Sequence, residues 1–561
     1  LKFNKHQLRQ ISPYLLIGAF YIVAMAVVGV GGDFPLNDDW AYAEGVRHLL
    51  LGEGLQMPYV NAAALVHVGL GLVAAKLWGY SYTSLRICSV LVSFAGAIAL
   101  YIAAGFLRIP RVQGAFLAIL YAANPVLVNV SFGFMSDSTG LTLNMIFLAC
   151  LLCALVKGSS KVMVLAFVVL ALAVTVRQSA LIFILLSPFC LSRRFGDSPY
   201  RYAVLAVALA LPVASMWACD NLLLTAQLDS GSSYNDYEIV RQAHFATLYK
   251  LVFAAPDMVL PAIGALGQVL CYLGLFCIPT FPALVSSMVA SSKESAAAVK
   301  LTVGLSLLLI SSAMVTIFLY HKTMPFSENI LRFTTVGAQG ILGIIRQPLV
   351  AQGRVILTVV SFLTAIPLVM SFSWLTRLLL KKPLSWRVLV LVVCLFVCLM
   401  FLTLETFVLC SDRYYLIILG PALLSVGYVA ARLRQQVVTP VSIVLLLAFT
   451  LYSLAGNQEY LSASRARWRA IDWLEVRGIK PDVIDGGYEY NVLRDMAVYT
   501  SKYRGDAPRD SWRWWPIKGE SYLISFSPVP GYKTIHTEPY FSLLDFKLRN
   551  IEVLEQIVDG R

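Results

Sequence analysis

Charge is what this sequence has least of. Asp, Glu, Lys and Arg make up only 13% of its 561 residues, against roughly 25% in a soluble domain, while 58% are hydrophobic and mean hydropathy is +0.74. A soluble globular enzyme is excluded. The six histidines (His6, His48, His67, His244, His321 and His536) are scattered, and no Cys/His cluster has zinc spacing. No cofactor is called for, and a divalent metal stays open without a ligand set to support it. All ten cysteines, Cys88 to Cys410, lie in or beside apolar segments, so they read as small hydrophobes rather than a disulfide framework. There is no Walker loop, no GxGxxG after a strand, no HExxH and no nucleophile elbow.

Long apolar runs are what the chain has in abundance. They recur up to residue 456, each near the twenty residues that cross a ~30 Å hydrocarbon layer as a helix. We expect an all-α polytopic membrane protein with about thirteen spans, at 13–31, 84–107, 112–130, 138–156, 161–176, 178–192, 201–219, 257–290, 301–320, 354–378, 387–408, 412–430 and 440–456. The first, preceded by Lys2, Lys5 and Arg9 and lacking a clear cleavage signature, reads as a retained span rather than a signal peptide. The eighth holds Pro261, Pro279 and Pro282 and is long enough to be broken.

The net charge of +13 lies wholly in the membrane region, because residues 457–561 hold 15 basic and 15 acidic side chains. No basic run beside interleaved aromatics supports nucleic-acid binding. With the N-terminus cytoplasmic, the inner loops carry 18 basic residues against two acidic ones, which the positive-inside rule favours. The tail then lies outside. Residues 1–456 are expected to form the transmembrane catalytic domain and 457–561 a small extracytoplasmic α/β domain, with Ala463 to Val476 helical, β-type runs near 482–485 and 521–526, and a Trp512, Trp514, Trp515 cluster. Function is sought in the long outer loops 32–83, 220–256 and 321–353. The first holds two helical patterns suited to lying along the interface, Trp40 to Leu51 and Ala62 to Trp78. The second, centred on Ser230, Gly231, Ser232 and Ser233, looks like a loop that could order on a ligand.

The densest acidic feature, Asp33 to Glu44, follows the first span. Two adjacent carboxylates, Asp38 and Asp39, repel each other and tend to raise one pKa, which suits a general base; acids also favour the first turn of a helix, so a cap reads equally well. Asp137, where the fourth span begins, has the same two readings, with its location beside the outer loops in favour of chemistry. Arg177 interrupts an apolar hairpin at its outer tip, either snorkelling or offering a guanidinium to a phosphate. Arg413 has the same alternatives, plus a local pair with Asp412, and Arg86, Lys250 and Arg332 are further outer cations. Ile484 to Asn491 contains a Gly-Gly pair that reads as a tight turn.

Taken in order, these motifs resemble the GT-C superfamily of polyprenyl-phosphate-sugar-dependent glycosyltransferases, on the protein O-mannosyltransferase and lipid A aminoarabinose transferase branch. Asp38-Asp39-Trp40-Ala41-Tyr42-Ala43-Glu44 is similar to the family's Asp-Glu-x-x-Tyr-Ala-Glu element. Phe134 to Asp137, Thr175 to Gln178 and Asp412 to Leu416 follow at matching places. Asp39 stands where the family often has Glu, Arg177 where it has Lys, and Ala41 where aminoarabinose transferases carry Arg. The resemblance implies Asp38 as the carboxylate that deprotonates or orients the acceptor, with Asp39 or Asp137 assisting. It implies Arg177 as a cation on the donor phosphate; Arg413, Lys250 and Arg332 are taken as further donor-phosphate candidates from their place outside, and Tyr42, Glu44 and His67 as candidate cavity residues. The implied partners are a polyprenyl-phosphate sugar, a lipid, glycan or protein acceptor and membrane lipids. The implied reaction is a single displacement with inversion, at the periplasmic face of a bacterial inner membrane. A flippase of lipid-linked sugars is the alternative, which should show polar residues on both sides and paired interrupted helices; a non-catalytic scaffold is a third reading.

Overall fold

The computed structural model describes residues 5–57, 62, 64–192, 195, 200–229, 242–243, 246–247, 249–250, 256–292, 300, 304, 307, 311, 326, 329–332, 336–343, 351–380, 385–408, 411–494 and 520–557. It is a helical bundle with a small sheet at one end. Among the described residues, eight helices are long and apolar enough to cross a membrane, or ten if each of two bent pairs is one span. The thirteen expected spans are therefore not all matched by full-length helices. Two shorter apolar helices, Ser160–Val174 and Gln178–Leu191, stand where the fifth and sixth were expected. Gln178–Leu191 is a 3-10 helix, and at about 2.0 Å per residue its extra rise offsets its short length. The expected span 301–320 lies outside the described residues except at 304, 307 and 311, as do Ser230 to Ser233, Trp512, Trp514, Trp515, His244 and His321.

The chain opens with α1 (Lys5–Val28), then α2 (Asp39–Leu51) and α3 (Leu65–Trp78) in the first long loop. A capping box between Ser81 and Ser84 starts α4 (Tyr82–Phe106). The expected third span is instead a bent pair, α5 (Arg111–Ala122) and α6 (Pro125–Ser131), turning by 64°. Asn124 causes the break: its side chain accepts from the N–H groups of Val126 and Leu127, and Pro125 opens the new helix. Next come α7 (Ser136–Lys157), α8 (Ser160–Val174), the 3-10 helix and α9 (Tyr200–Asp229). The proline-rich eighth segment is broken, as α10 (Pro256–Phe276) and α11 (Phe281–Ser292) meet at 69°. Then follow α12 (Ala351–Arg377), α13 (Trp386–Val408) and α14 (Leu416–Arg432).

The last long helix, α15, runs from Pro440 to Val476 without interruption. At 1.5 Å per residue its 37 residues extend about 55 Å, which exceeds the hydrocarbon layer. Its apolar first half exposes Val444, Leu447 and Leu451, while Ala466, Ala470 and Leu474 bury against the sheet. One rigid helix thus crosses the expected boundary at 456 and carries the tail. The tail's strands β1 (Ile484–Asp485), β2 (Tyr522–Ser525), β3 (Tyr532–Ser542) and β4 (Lys547–Gln556) form a sheet of order β1-β2-β4-β3. The short helix α16 (Tyr488–Arg494) follows β1. A separate apolar cluster joins Trp40, Tyr42, Val68 and Phe134 to Leu342, Tyr488 and Leu523, so the first loop and the tail share one core.

Candidate active site

The loop between α1 and α2 is held from both sides. Arg86 of α4, fully buried, donates to the Gly32 carbonyl at 2.6 Å and to that of Phe34, and lies over the Phe34 ring. Asn37, in the left-handed region at φ 54°, donates its N–H to Glu489 Oε1 at 2.7 Å. Glu489 in turn accepts from Arg467 Nη1 at 2.7 Å, in a pair buried on both sides.

Asp38, next to Asn37, is the carboxylate this framework presents. Its side chain keeps about a third of its surface open, accepting from Arg413 Nη1 at 2.9 Å and from the Tyr488 hydroxyl at 3.2 Å. Asp39 has a different environment. It is fully buried, and its two oxygens accept the N–H groups of Leu36 at 2.6 Å and Phe134 at 3.2 Å. Burial pushes its carboxyl up to about 7, against the pull of Arg86 and those two backbone donors, with Glu489 adding to the rise. The adjacent acids are therefore divided into one open side chain and one spent on the backbone.

A second ion pair stands beside the first. Asp137, in the first turn of α7, accepts from Arg177 Nη2 at 2.6 Å. The Tyr414 ring lies between the two cations, 5.6 Å from the guanidinium carbon of Arg177 and 5.6 Å from that of Arg413. Each guanidinium retains donor capacity, because the Nε of both finds no acceptor among the described residues. Asp412 orients this turn by accepting the N–H groups of Ile330 at 2.8 Å and Leu331 at 2.5 Å.

Tyr42 joins the cluster, since its hydroxyl accepts from Ser136 Oγ at 3.0 Å and lies in the field of Arg177, Asp137 and Asp38. His67 supports it from beneath, hydrogen-bonded to Thr139 at 2.8 Å and stacked on Phe134 at 4.0 Å. Burial drives this imidazole down to about 3, so it is neutral. Glu44 sits outside the cluster, paired with Arg47 at 2.7 Å on an exposed turn. Lys250 is exposed, and among the described residues no contact joins it to Asp38. Arg332 bonds Gln339 at 2.6 Å and lines a small cavity with Arg467 and Tyr460. Among the described residues, no three His, Cys, Asp or Glu side chains converge as a metal site would need.

Four residues of this arrangement were not singled out from sequence: Tyr414, Arg467, Tyr488 and Glu489. Tyr488 and Glu489 follow the Gly486-Gly487 pair, which has a geometric reason. Gly487 has φ 91°, and a Cβ there would lie 2.2 Å from the Gly340 carbonyl oxygen, which accepts the Tyr488 N–H at 2.8 Å.

A polytopic helical membrane protein with two carboxylate–guanidinium pairs at the tail end of its bundle is the class these features define. Residues 70–217, which hold Asp137 and Arg177, match the family model described as dolichyl-phosphate-mannose-protein mannosyltransferase. No curated protein matches the chain. Among solved structures it is similar to the S. cerevisiae protein O-mannosyltransferase Pmt1-Pmt2 complex bound to the sugar donor, at 13% identity and TM-score 0.31, over 38% of this chain and 34% of that one. The chain thus spans about a third of that relative's length. It is similar also to ArnT from Cupriavidus metallidurans bound to undecaprenyl phosphate, at 14% identity and TM-score 0.38, over 96% and 97% of the two chains. A third likeness is to the archaeal oligosaccharyltransferase AglB from Archaeoglobus fulgidus, in complex with an inhibitory peptide and a dolichol-phosphate, at 10% identity and TM-score 0.41, over 91% and 61%.

Proposed function

We propose that the chain moves a sugar from a polyprenyl-phosphate donor to an acceptor on the tail side of the membrane, the extracytoplasmic side, with inversion at the anomeric carbon. One observation carries this reading: the partly open Asp38 carboxylate and two guanidiniums with unspent N–H groups share one cluster at the end of the bundle. A lipid-phosphate sugar needs no nucleotide fold, because its tail stays in the bilayer while sugar and phosphate reach the cluster.

In the proposed step the acceptor's O–H or N–H gives its proton to Asp38 as its heteroatom bonds the anomeric carbon. The bond from that carbon to the phosphate oxygen breaks, and polyprenyl phosphate leaves. Arg177 and Arg413 stabilise the charge that develops on the leaving phosphate. The phosphate and Asp38 compete for Arg413, so donor binding would loosen the Asp38–Arg413 pair and free the carboxylate for the acceptor. Asp39 serves in this scheme by fixing the loop, and Asp137 by aiming Arg177. The proposed setting is a bacterial inner membrane with the cluster facing the periplasm.

The test is to supply purified protein in liposomes with a panel of radiolabelled undecaprenyl-phosphate and dolichyl-phosphate sugars. Release of polyprenyl phosphate from one of them supports the reading and names the sugar. Absence of release from all, together with scrambling of the labelled lipid between leaflets, would replace it with lipid transport.

A further inference from the structure

The tail carries an apolar turn that neither the bundle nor the site explains. Among the described residues after Asn457, few large apolar side chains are exposed, and three of them sit within eight residues of one another: Phe541 (42%), Phe546 (77%) and Leu548 (72%), at the turn between β3 and β4. Phe541 and Phe546 meet edge to face at 6.5 Å, forming one patch rather than scattered side chains. Phe546 holds its side chain there in a left-handed backbone conformation, φ 54°, where a glycine or asparagine would be cheaper.

The height of this turn above the membrane can be read along α15. His536 stacks on Trp473 at 4.3 Å. Further along β3, Arg469 bonds Glu538 at 3.0 Å and the Pro539 carbonyl at 2.9 Å. At the turn, Gln458 donates to the Phe541 carbonyl and accepts the Leu543 N–H, both at 3.0 Å. The strand therefore descends α15 from position 473 to position 458, towards the bundle. About twenty helical residues cross the hydrocarbon layer, so with α15 beginning at Pro440, Gln458 lies at the edge where the helix leaves it. The exposed Leu447 and Leu451 end just below. The exposed Lys547 lies at the same level, as a cation suited to the headgroup layer.

We infer that the β3–β4 turn is a membrane anchor: Phe541, Phe546 and Leu548 enter the interface of the same bilayer that the helices cross, on the tail's side. The patch continues the exposed apolar surface of α15, and its apolar tips beside a lysine suit the boundary between headgroups and acyl chains. Such an anchor pins the edge of the sheet whose other end carries the Gly486–Asn491 turn against Asp38.

The experiment uses the full chain in vesicles of phosphatidylethanolamine and phosphatidylglycerol, with photoreactive benzoylphenylalanine in place of Phe546 or, separately, Leu548. The same group in place of Leu447 marks lipid contact, and in place of Thr534, exposed higher on β3, marks solvent. Irradiation should give phospholipid adducts at 546, 548 and 447, and none at 534. Adducts at 447 with none at 546 and 548 would overturn the inference. Cross-links at 546 to a second copy of the chain would likewise overturn it and make the turn an interface between copies.

Discussion

Arg413 Nη1 lies 2.9 Å from Asp38 Oδ2, although 375 residues separate them in the chain. This contact ties the first loop to the turn before α14, and with the Tyr488 hydroxyl on the other oxygen it brings three distant segments onto one carboxylate. Arg177–Asp137 repeats the pairing alongside.

Replacing either arginine with lysine keeps the charge and removes the planar fork. We expect Arg413→Lys and Arg177→Lys each to lower kcat/KM for the donor about tenfold or more, with Arg413→Lys also loosening Asp38. Steady-state kinetics against donor concentration checks this. Unchanged constants in both variants would remove the guanidiniums from phosphate recognition.

Tyr488→Phe removes one hydrogen bond from Asp38 and leaves the ring in its apolar cluster. A net bond of about 1 kcal/mol corresponds to a several-fold fall in kcat, with donor KM little changed. A rise in KM at constant kcat would show that Tyr488 contacts donor rather than positioning the carboxylate.

The raised carboxyl of Asp39 sets a pH dependence of stability. Its folded value of about 7 lies above the unfolded value near 4, so the folded state binds the extra proton between them. Stability should fall as pH rises from about 4 to about 7 and level off above. Asp39→Asn removes this component. Thermal unfolding in detergent across that window should show a flatter profile for the variant, and parallel profiles would contradict the assignment.

Gly487→Ala places a methyl group against the Gly340 carbonyl in a backbone conformation that L side chains rarely adopt. A loss of more than about 1 kcal/mol is expected, together with loss of turnover, since Tyr488 and Glu489 are carried by that turn. Gly478→Ala is a control for φ alone, as its Cβ would meet nothing within 4 Å.

Much of the site was legible because its parts lie in short motifs at helix ends. Asp38, Asp137, Arg177 and Arg413 each interrupt apolar sequence at a boundary, where a charge must face water or a partner. Which of two adjacent acids stays open was not legible, because it depends on the Leu36 and Phe134 N–H groups reaching Asp39. The contributions of Tyr488 and Glu489 were hidden by separation, since a Gly-Gly turn looks the same whether or not it rests on another loop. The break between α5 and α6 had a local signal in Asn124-Pro125 that apolar counting overrode. The continuity of α15 past 456 was hidden for the opposite reason: hydropathy falls there while the helix runs on with a buried face.

The central claim is that Asp38 takes the acceptor's proton, and Asp38→Asn tests it most directly. The amide keeps the size of the side chain and loses the base. With a donor that the wild type consumes, the account predicts that turnover falls by roughly 10²- to 10⁴-fold, while the variant still folds and binds the donor at least as tightly as the wild type, because the phosphate no longer competes with a carboxylate for Arg413. Turnover by Asp38→Asn at the wild-type rate would contradict it.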